Sequence, residues 1–320
     1  MKKILALLAL VPATALAQNI AVDGSSTVYP ISLSMAEEFQ IVNPDAQVTV
    51  GFAGTGGGFE RFCAGETQIS DASRVVDEDE VAACEEAGIP FIELPIAADA
   101  LTVVVNPEND WAECLTVEQL QQIWSADGGV TNWSDVDSSF PDEAIELYAP
   151  GVDSGTFDYF NEAIIGDDAE IRQDFFPSED DNVLVQGVQG NPNAMGFFGY
   201  AYYAENPDTL KAVQVDGGDG CVEPSAETVE NASYTPLSRP LFIYVSQNAV
   251  DSTPAMQDFV DFYLSPDNRE LIEDTGYVTY GDEIYEAVQT RFNDRVTGSA
   301  FADFEPGDNV LEAVQEAESQ

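Results

Sequence analysis

Between residues 19 and 87 the chain passes three times from a short apolar strand into a helix, each time through glycines and hydroxyl residues. Residues 19–23 lead to Gly24-Ser25-Ser26-Thr27. Val28-Tyr29-Pro30 then opens a run with Ile31, Met35, Ala36 and Phe39 at helical spacing. Residues 48–52 alternate as a strand does, AGTGGG (53–58) follows, and Phe59, Phe62 and Cys63 mark a second helix. A third strand starts at Ile69 and ends in Ser70-Asp71-Ala72-Ser73-Arg74, after which Asp77 caps an acidic helix reaching Ala87. Strands alternating with helices at this interval predict an α/β fold, a mixed and mostly parallel sheet flanked by helices. In such sheets ligands bind beyond the carboxyl ends of the strands, where these three loops sit.

Two extended apolar runs, 89–105 and 240–245, read as crossings into and out of a second unit. The first unit is then 18–98 with 239–320, and the second is 99–238. In the second unit Thr116 caps a helix carrying Val117, Leu120, Ile123 and Trp124. A strand at 145–148 delivers the loop Gly151-Val152-Asp153-Ser154-Gly155-Thr156, which opens onto Phe157, Phe160, Ala163 and Ile164 at helical spacing. Taken alone, that loop is a helix cap. A helix start also carries open N–H groups and a positive partial charge, so the same residues can hold an oxyanion. Helices near 255–264 and 268–275 complete the first unit, and the tail after Phe304 is expected to be an exposed acidic helix. A length of 320 residues with 44% apolar content supports two compact lobes. A cleft between them is the natural ligand site, with hinge closure as its motion.

Met1-Lys2-Lys3, an apolar run over 4–11 and Ala15-Leu16-Ala17 form a cleavable export signal over residues 1–17, and the expected location is the periplasm. No other apolar run approaches membrane-spanning length. Four cysteines in an exported chain favour two disulfides. Of the three connectivities, Cys63–Cys84 with Cys114–Cys221 keeps each pair inside one unit. No CxxC spacing supports zinc or redox chemistry, and neither metal nor cofactor is expected. There is no histidine, which removes His-based catalysis and His metal sites. The formal net charge is −49; without Lys2 and Lys3 it is 8 − 59 = −51. So acidic a surface disfavours nucleic acid and anionic lipid partners and suits a salty habitat. The few cations stand out: Lys211, Arg61, Arg74, Arg172, Arg239, Arg269, Arg291 and Arg295.

The ordered set GSSTVYP (24–30), GTGGGF (54–59), SDASR (70–74), DSGTFDYF (153–160), NVLVQGV (182–188) and GFFGYAYY (196–203) resembles the periplasmic phosphate-binding proteins that feed ABC-type phosphate importers. The resemblance covers nearly the whole chain after the signal. It implies a two-lobed periplasmic-binding-protein fold (type II) that closes on dehydrated inorganic phosphate and delivers it to membrane permease subunits as a monomer. It carries ligand roles to Ser25, Ser26 and Thr27, with Val28 as a backbone donor, to Thr55 and Gly56, to Asp71, and to Ser154, Gly155 and Thr156. Some members place an arginine just upstream of the SGT triplet. Ala149-Pro150-Gly151-Val152 offers none, and Arg74 is the expected cation instead, as a bidentate partner.

The chemistry of the residues agrees. Hydrogen phosphate accepts hydrogen bonds on all sides and carries one proton. Hydroxyls and backbone N–H groups answer the acceptors, and Asp71 answers the proton. Sulfate has no such proton, so an Asp carboxylate repels it. Another oxyanion, such as sulfate or molybdate, is therefore the weaker alternative. An exported phosphatase is weaker still. GVDSG lacks the G-x-S-x-G spacing, no His activates Ser154, and no clustered DxD set holds two metals.

A net charge of −51 repels an anion at long range, and salt shortens that range to about 8 Å at physiological ionic strength and about 3 Å at 1 M. Phosphate association followed by stopped flow is therefore expected to speed up as NaCl rises from low to high. An on-rate and affinity that ignore NaCl would refute this electrostatic account.

Overall fold

The computed structural model describes residues 18–318 apart from 152–153, 167–168, 179, 219, 232 and 305–307. The expected export signal at 1–17 lies outside the described residues, as do Val152 and Asp153 of the loop before Ser154. The strands are β1 Gln18–Gly24, β2 Ala46–Val50, β3 Ile69–Ala72, β4 Phe91–Val105, β5 Cys114–Thr116 and β6 Glu146–Ala149. They continue with β7 Phe176–Pro177, β8 Ala194–Gly199, β9 Lys211–Ala212, β10 Gln214–Asp216, β11 Cys221–Val222 and β12 Ser238–Ser246. The three helices that follow the first three strands are α1 Tyr29–Val42, α2 Thr55–Cys63 and α3 Glu78–Ala87.

One nine-stranded sheet runs β2-β1-β3-β12-β4-β8-β6-β7, with β9 added on β4, and β11-β10-β5 form a small sheet apart. The first three strands are mutually parallel, whereas β12 is antiparallel to both β3 and β4. Beyond β4 the arrangement repeats, with β8, β6 and β7 parallel to one another and β8 antiparallel to β4. The crossing run is thus a single strand of 15 residues, every one buried. Its first part pairs with β12 up to Ala100, and its last part pairs with β8 from Leu101. A strand covered on both faces reads as a continuous apolar run, which is how this one reads in the sequence.

The hydrophobic cores change over at the same place. One core takes in Ile20, Phe39, Phe62, Leu94, Phe242, Phe259 and Phe292, and it ends at Ala100 along β4. The other begins at Leu101 and includes Trp124, Trp133, Phe160, Phe197 and Leu237. A smaller cluster of Val104, Leu184, Val188 and Phe198 lies beside the second. Val229 departs from the expected division: it sits among second-unit residues in the chain yet packs into the first core. In α1, Ile31, Met35, Ala36 and Phe39 form one buried face, and Phe39 meets Phe259 at 5.1 Å between ring centroids. The C-terminal tail differs from expectation as well. Its helix, Val310–Glu318, is not a free surface element, because Val310 and Val314 are buried in the first core. An acidic outer face with apolar residues four apart is the pattern of a docked helix.

Both expected disulfides are present. Cys63–Cys84 ties the end of α2 to α3, and Cys114–Cys221 ties β5 to β11. Two glycines decide how closely the first strand ends approach. Gly24 has φ 145°, and a Cβ there would lie 2.1 Å from the Asp71 carbonyl oxygen. A Cβ on Gly58 would lie 2.5 Å from the Gly24 Cα. Backbone cannot yield as a side chain does, so Gly58→Ala is expected to cost about 1–3 kcal/mol. Urea unfolding measures this, and an unchanged midpoint would show that α2 can shift at no cost.

Candidate functional site

The three strand-to-helix loops are sewn together by their own backbone. Ser25 donates its N–H to the Asp71 carbonyl at 2.9 Å, and Gly54 donates to the Gly24 carbonyl at 2.8 Å. Asp23, at the end of β1, accepts from the N–H groups of Gly24 and Ala53 at 2.9 Å each, while its other oxygen pairs with Arg61 of α2. The first and second loops are therefore fixed to one carboxylate. Thr55 Oγ1 lies 3.3 Å from Ser73 Oγ and accepts from the Ser73 N–H at 3.3 Å, which joins the second loop to the third.

Some donors of these loops are used within them: the Tyr29 N–H goes to the Ser25 carbonyl at 3.0 Å and the Thr27 N–H to Ser25 Oγ at 3.2 Å. Val28 and Gly54 immediately precede α1 and α2, and neither helix start has a side-chain cap. Pro30 has no N–H, and among the described residues the amides of Val28, Thr55 and Gly56 have no hydrogen-bond acceptor, at the positive end of each helix dipole. Ser25 and Thr27 are buried at the start of α1, whereas Ser26 points to solvent. Ser154 is the N-cap of the helix Gly155–Phe160 and accepts the Thr156 N–H at 3.2 Å.

Beneath the loops lies Asp71, on β3, with no exposed surface. Ser32 Oγ of α1 donates to its Oδ1 at 2.9 Å, and its Oδ2 has no hydrogen-bond partner among the described residues. Burial pushes the Asp71 carboxyl well above the usual carboxylate range; the Ser32 bond opposes that shift and the charge of Asp23 adds to it.

Arg74 does not reach out as expected. Its guanidinium is gripped by Glu80 of α3, at 2.9 Å from Nη1 and 2.8 Å from Nη2, and Nη1 also lies 3.1 Å from Asp77. It stands beside Gly56, at 3.9 Å from where a Cβ would be, with its fork already filled. The arginine that does reach a loop hydroxyl is Arg239, on β12. Its Nη2 is 3.4 Å from Thr27 Oγ1, its Nε is 3.2 Å from Asp99 on β4, and its Nη1 is 3.3 Å from Glu162. Its guanidinium carbon also lies 3.7 Å from the centre of the Tyr159 ring. Tyr159 belongs to the helix that Ser154 caps, and Glu162 to the π-helical turn Asn161–Ile165 that continues it. Arg239 thereby links Thr27, packed with the first core, to the helix of Ser154 and Thr156 in the second.

Ser25, Thr27, Thr55, Gly56 and Asp71 are thus gathered at adjoining strand ends, and Ser154, Gly155 and Thr156 are connected to them through Tyr159 and Arg239. Sequence reasoning counted Arg239 among the few cations but assigned it no role. The signal available was its place at the start of a crossing strand, opposite Asp99 in register.

Burial of Asp71 has a consequence for stability. A carboxyl whose pKa is raised by folding, above about 3.9, contributes stability that is full below that value and is lost as pH rises through the folded value. Asp71→Asn removes this titration. In the absence of anion, the stability of the variant relative to the parent is expected to rise between pH 4 and pH 7. A difference in melting temperature that stays constant over that range would argue against it.

The chain matches a PBP superfamily domain over residues 11–267. It is 46% identical to the protein SphX of a Synechocystis species over 297 residues, covering 92% of this chain and 87% of that one. It is 39% identical over 273 residues to the phosphate-binding protein PstS of Staphylococcus saprophyticus, covering 85% and 83%. Among solved structures, a possible phosphate binding protein from Planctomyces limnophilus is similar with a TM-score of 0.82 and 46% identity, covering 86% of this chain and 98% of that one.

Proposed function

The chain belongs to the PBP superfamily, alongside phosphate-binding proteins, and from that premise we propose that it is an exported carrier of inorganic phosphate. It works in the periplasm as a monomer and delivers its ligand to the membrane subunits of an ABC-type permease. Its lobes are residues 18–98 with 239–320, and 99–238, and the anion lies in the cleft between them.

The observation that carries this reading is the Oδ2 atom of Asp71, buried and without a hydrogen-bond partner among the described residues, beneath the strand-to-helix loops. A buried oxygen left open calls for a donor. Hydrogen phosphate brings one proton among its acceptor oxygens, so it satisfies Asp71 and the donors together. Ser25 and Thr27, the amides of Val28, Thr55 and Gly56, and the hydroxyls of Ser154 and Thr156 with the Gly155 amide supply those donors. Ser26, exposed before closure, joins only through its backbone. Arg239 supplies the positive charge in place of Arg74. It is held by Asp99, Glu162, Thr27 and the Tyr159 ring, from both cores, so closing the cleft on the anion exchanges its long contacts to Glu162 and Thr27 for the ligand. No step of this function breaks a bond in the ligand; Ser154 acts as a donor.

Isothermal titration with phosphate and with sulfate, plus a phosphomonoester turnover assay, tests the reading. Phosphate is expected to bind, sulfate to bind far more weakly near neutral pH, and no ester to turn over. Arg239→Gln is expected to weaken phosphate binding by about 10- to 100-fold, the range of a charge-assisted hydrogen bond, while Arg74→Gln changes it little. The reverse ranking would return the role to Arg74.

A further inference from the structure

Behind Asp71 the hydrogen bonds continue into the core. Ser32 Oγ lies 2.9 Å from Asp71 Oδ1 and 3.0 Å from the Tyr263 hydroxyl. Asp71 and Ser32 have no exposed surface, and Tyr263 is 1% exposed. The three come from separate elements: β3, α1 and the helix Pro254–Tyr263. Ser32 has one hydroxyl hydrogen. When it goes to a carboxylate at Asp71, Tyr263 must donate its own to Ser32, and the chain runs Tyr263 to Ser32 to Asp71 in one direction. Each donor strengthens the next.

We propose that Ser32 and Tyr263 set the anion specificity of this protein: their chain holds Oδ1 of Asp71 as a satisfied acceptor, so that Oδ2 meets the ligand as a second acceptor and demands a hydrogen-bearing oxyanion. This rests on the phosphate-carrier reading and extends it to two residues that do not touch the ligand. They are positioning residues, acting through Asp71.

The surroundings of Asp71 make the chain consequential. The titratable groups that face it are Asp23 of β1, a like charge, and Tyr263, a donor through Ser32. Arg61 of α2 pairs with Asp23 Oδ2, while Oδ1 takes the Gly24 and Ala53 amides. From β12 the partner in register is Ile243, which is apolar. Burial and Asp23 both favour a neutral Asp71, and the Ser32 bond is what opposes them. A neutral Asp71 carries its proton on Oδ2, because Oδ1 is engaged by Ser32. It then becomes a donor, which an anion with no proton can accept. The choice between phosphate and sulfate is thus the choice of which partner owns one proton.

The experiment measures phosphate and sulfate affinity by calorimetry from pH 5 to pH 9 for the parent, Ser32→Ala, Ser32→Thr, Tyr263→Phe and Asp71→Asn. In the parent, sulfate binding is expected to appear only toward low pH. In Ser32→Ala the pH of that onset is expected to move upward, and the phosphate-to-sulfate affinity ratio at pH 7 to fall by at least about tenfold. Tyr263→Phe moves both in the same direction by less. Ser32→Thr, which keeps the hydroxyl, restores the parent profile, and Asp71→Asn binds sulfate with no such pH dependence. A merely structural role would lower both affinities together and leave the sulfate onset in place. If Ser32→Ala and Tyr263→Phe both keep the parent ratio and pH profile, the proposal is overturned while the phosphate reading stands. Should Ser32→Ala fail to fold, the Tyr263→Phe profile decides alone. A parent that binds no phosphate at any pH overturns the carrier reading and this proposal with it.

Discussion

A carboxylate taken wholly out of water must be answered by the groups around it, and at Asp71 only half of that answer comes from the protein. Oδ1 receives Ser32, and Oδ2 receives nothing among the described residues. The approach of three strand ends to this one side chain depends on glycine. Gly24 lets β1 pass the Asp71 carbonyl, and Gly58 lets α2 lie on Gly24. The loops that follow are then bound edge to edge by Ser25, Gly54 and Asp23. The resulting surface leaves the Val28, Thr55 and Gly56 amides without an acceptor among the described residues, at helix starts with no side-chain cap. The buried carboxylate and the uncapped helices are complementary defects. Each is costly alone, and in the proposed function one protonated oxyanion relieves both.

The crossing strands give the arrangement its second property. β4 belongs to the sheet on both sides of the change in core, and β12 pairs with its first part through Ser238 and Ala100, directly after Leu237 of the second core. Arg239 and Asp99 face each other on this pair, where the chain passes from one core to the other. A charge placed there sits on the strand pair where one core gives way to the other. From that point Arg239 touches Thr27 on one side and Tyr159 and Glu162 on the other. A cation on a loop tip of either core would lack this double reach. Arg74 is such a case: it strengthens the wall made by α3, through Glu80, and is used up there. The Cys63–Cys84 disulfide fastens the same wall by joining α2 to α3.

Much of this was legible in the residues. The alternation of short apolar strands with helices, the hydroxyl and glycine loops between them, and the two long apolar crossings are local patterns, and local patterns are what periodicity encodes. The pairing of the cysteines followed from the order of the crossings. The docking of the last helix did not, because an acidic segment with Val310 and Val314 four apart looks much like a free one until its partner surface is known. The engagement of Arg74 by Glu80 was not legible for a related reason. Its position after Ser70-Asp71-Ala72 is right for a ligand, but whether its fork is free depends on Glu80, one turn into a helix whose direction the sequence leaves open.

The sequence by itself determined the elements, their order and the chemical type of the loops, since each of these depends on residues within a few positions of one another. Tertiary structure alone decided which arginine reaches the loop hydroxyl of Thr27 and what lies behind the Asp71 carboxyl. Arg239 is 212 residues from Thr27 and 140 from Asp99, and Tyr263 is 231 from Ser32. No local propensity links residues so far apart. Their meeting is a consequence of strands that return to the sheet beside earlier ones, and it exists only once the whole sheet is assembled.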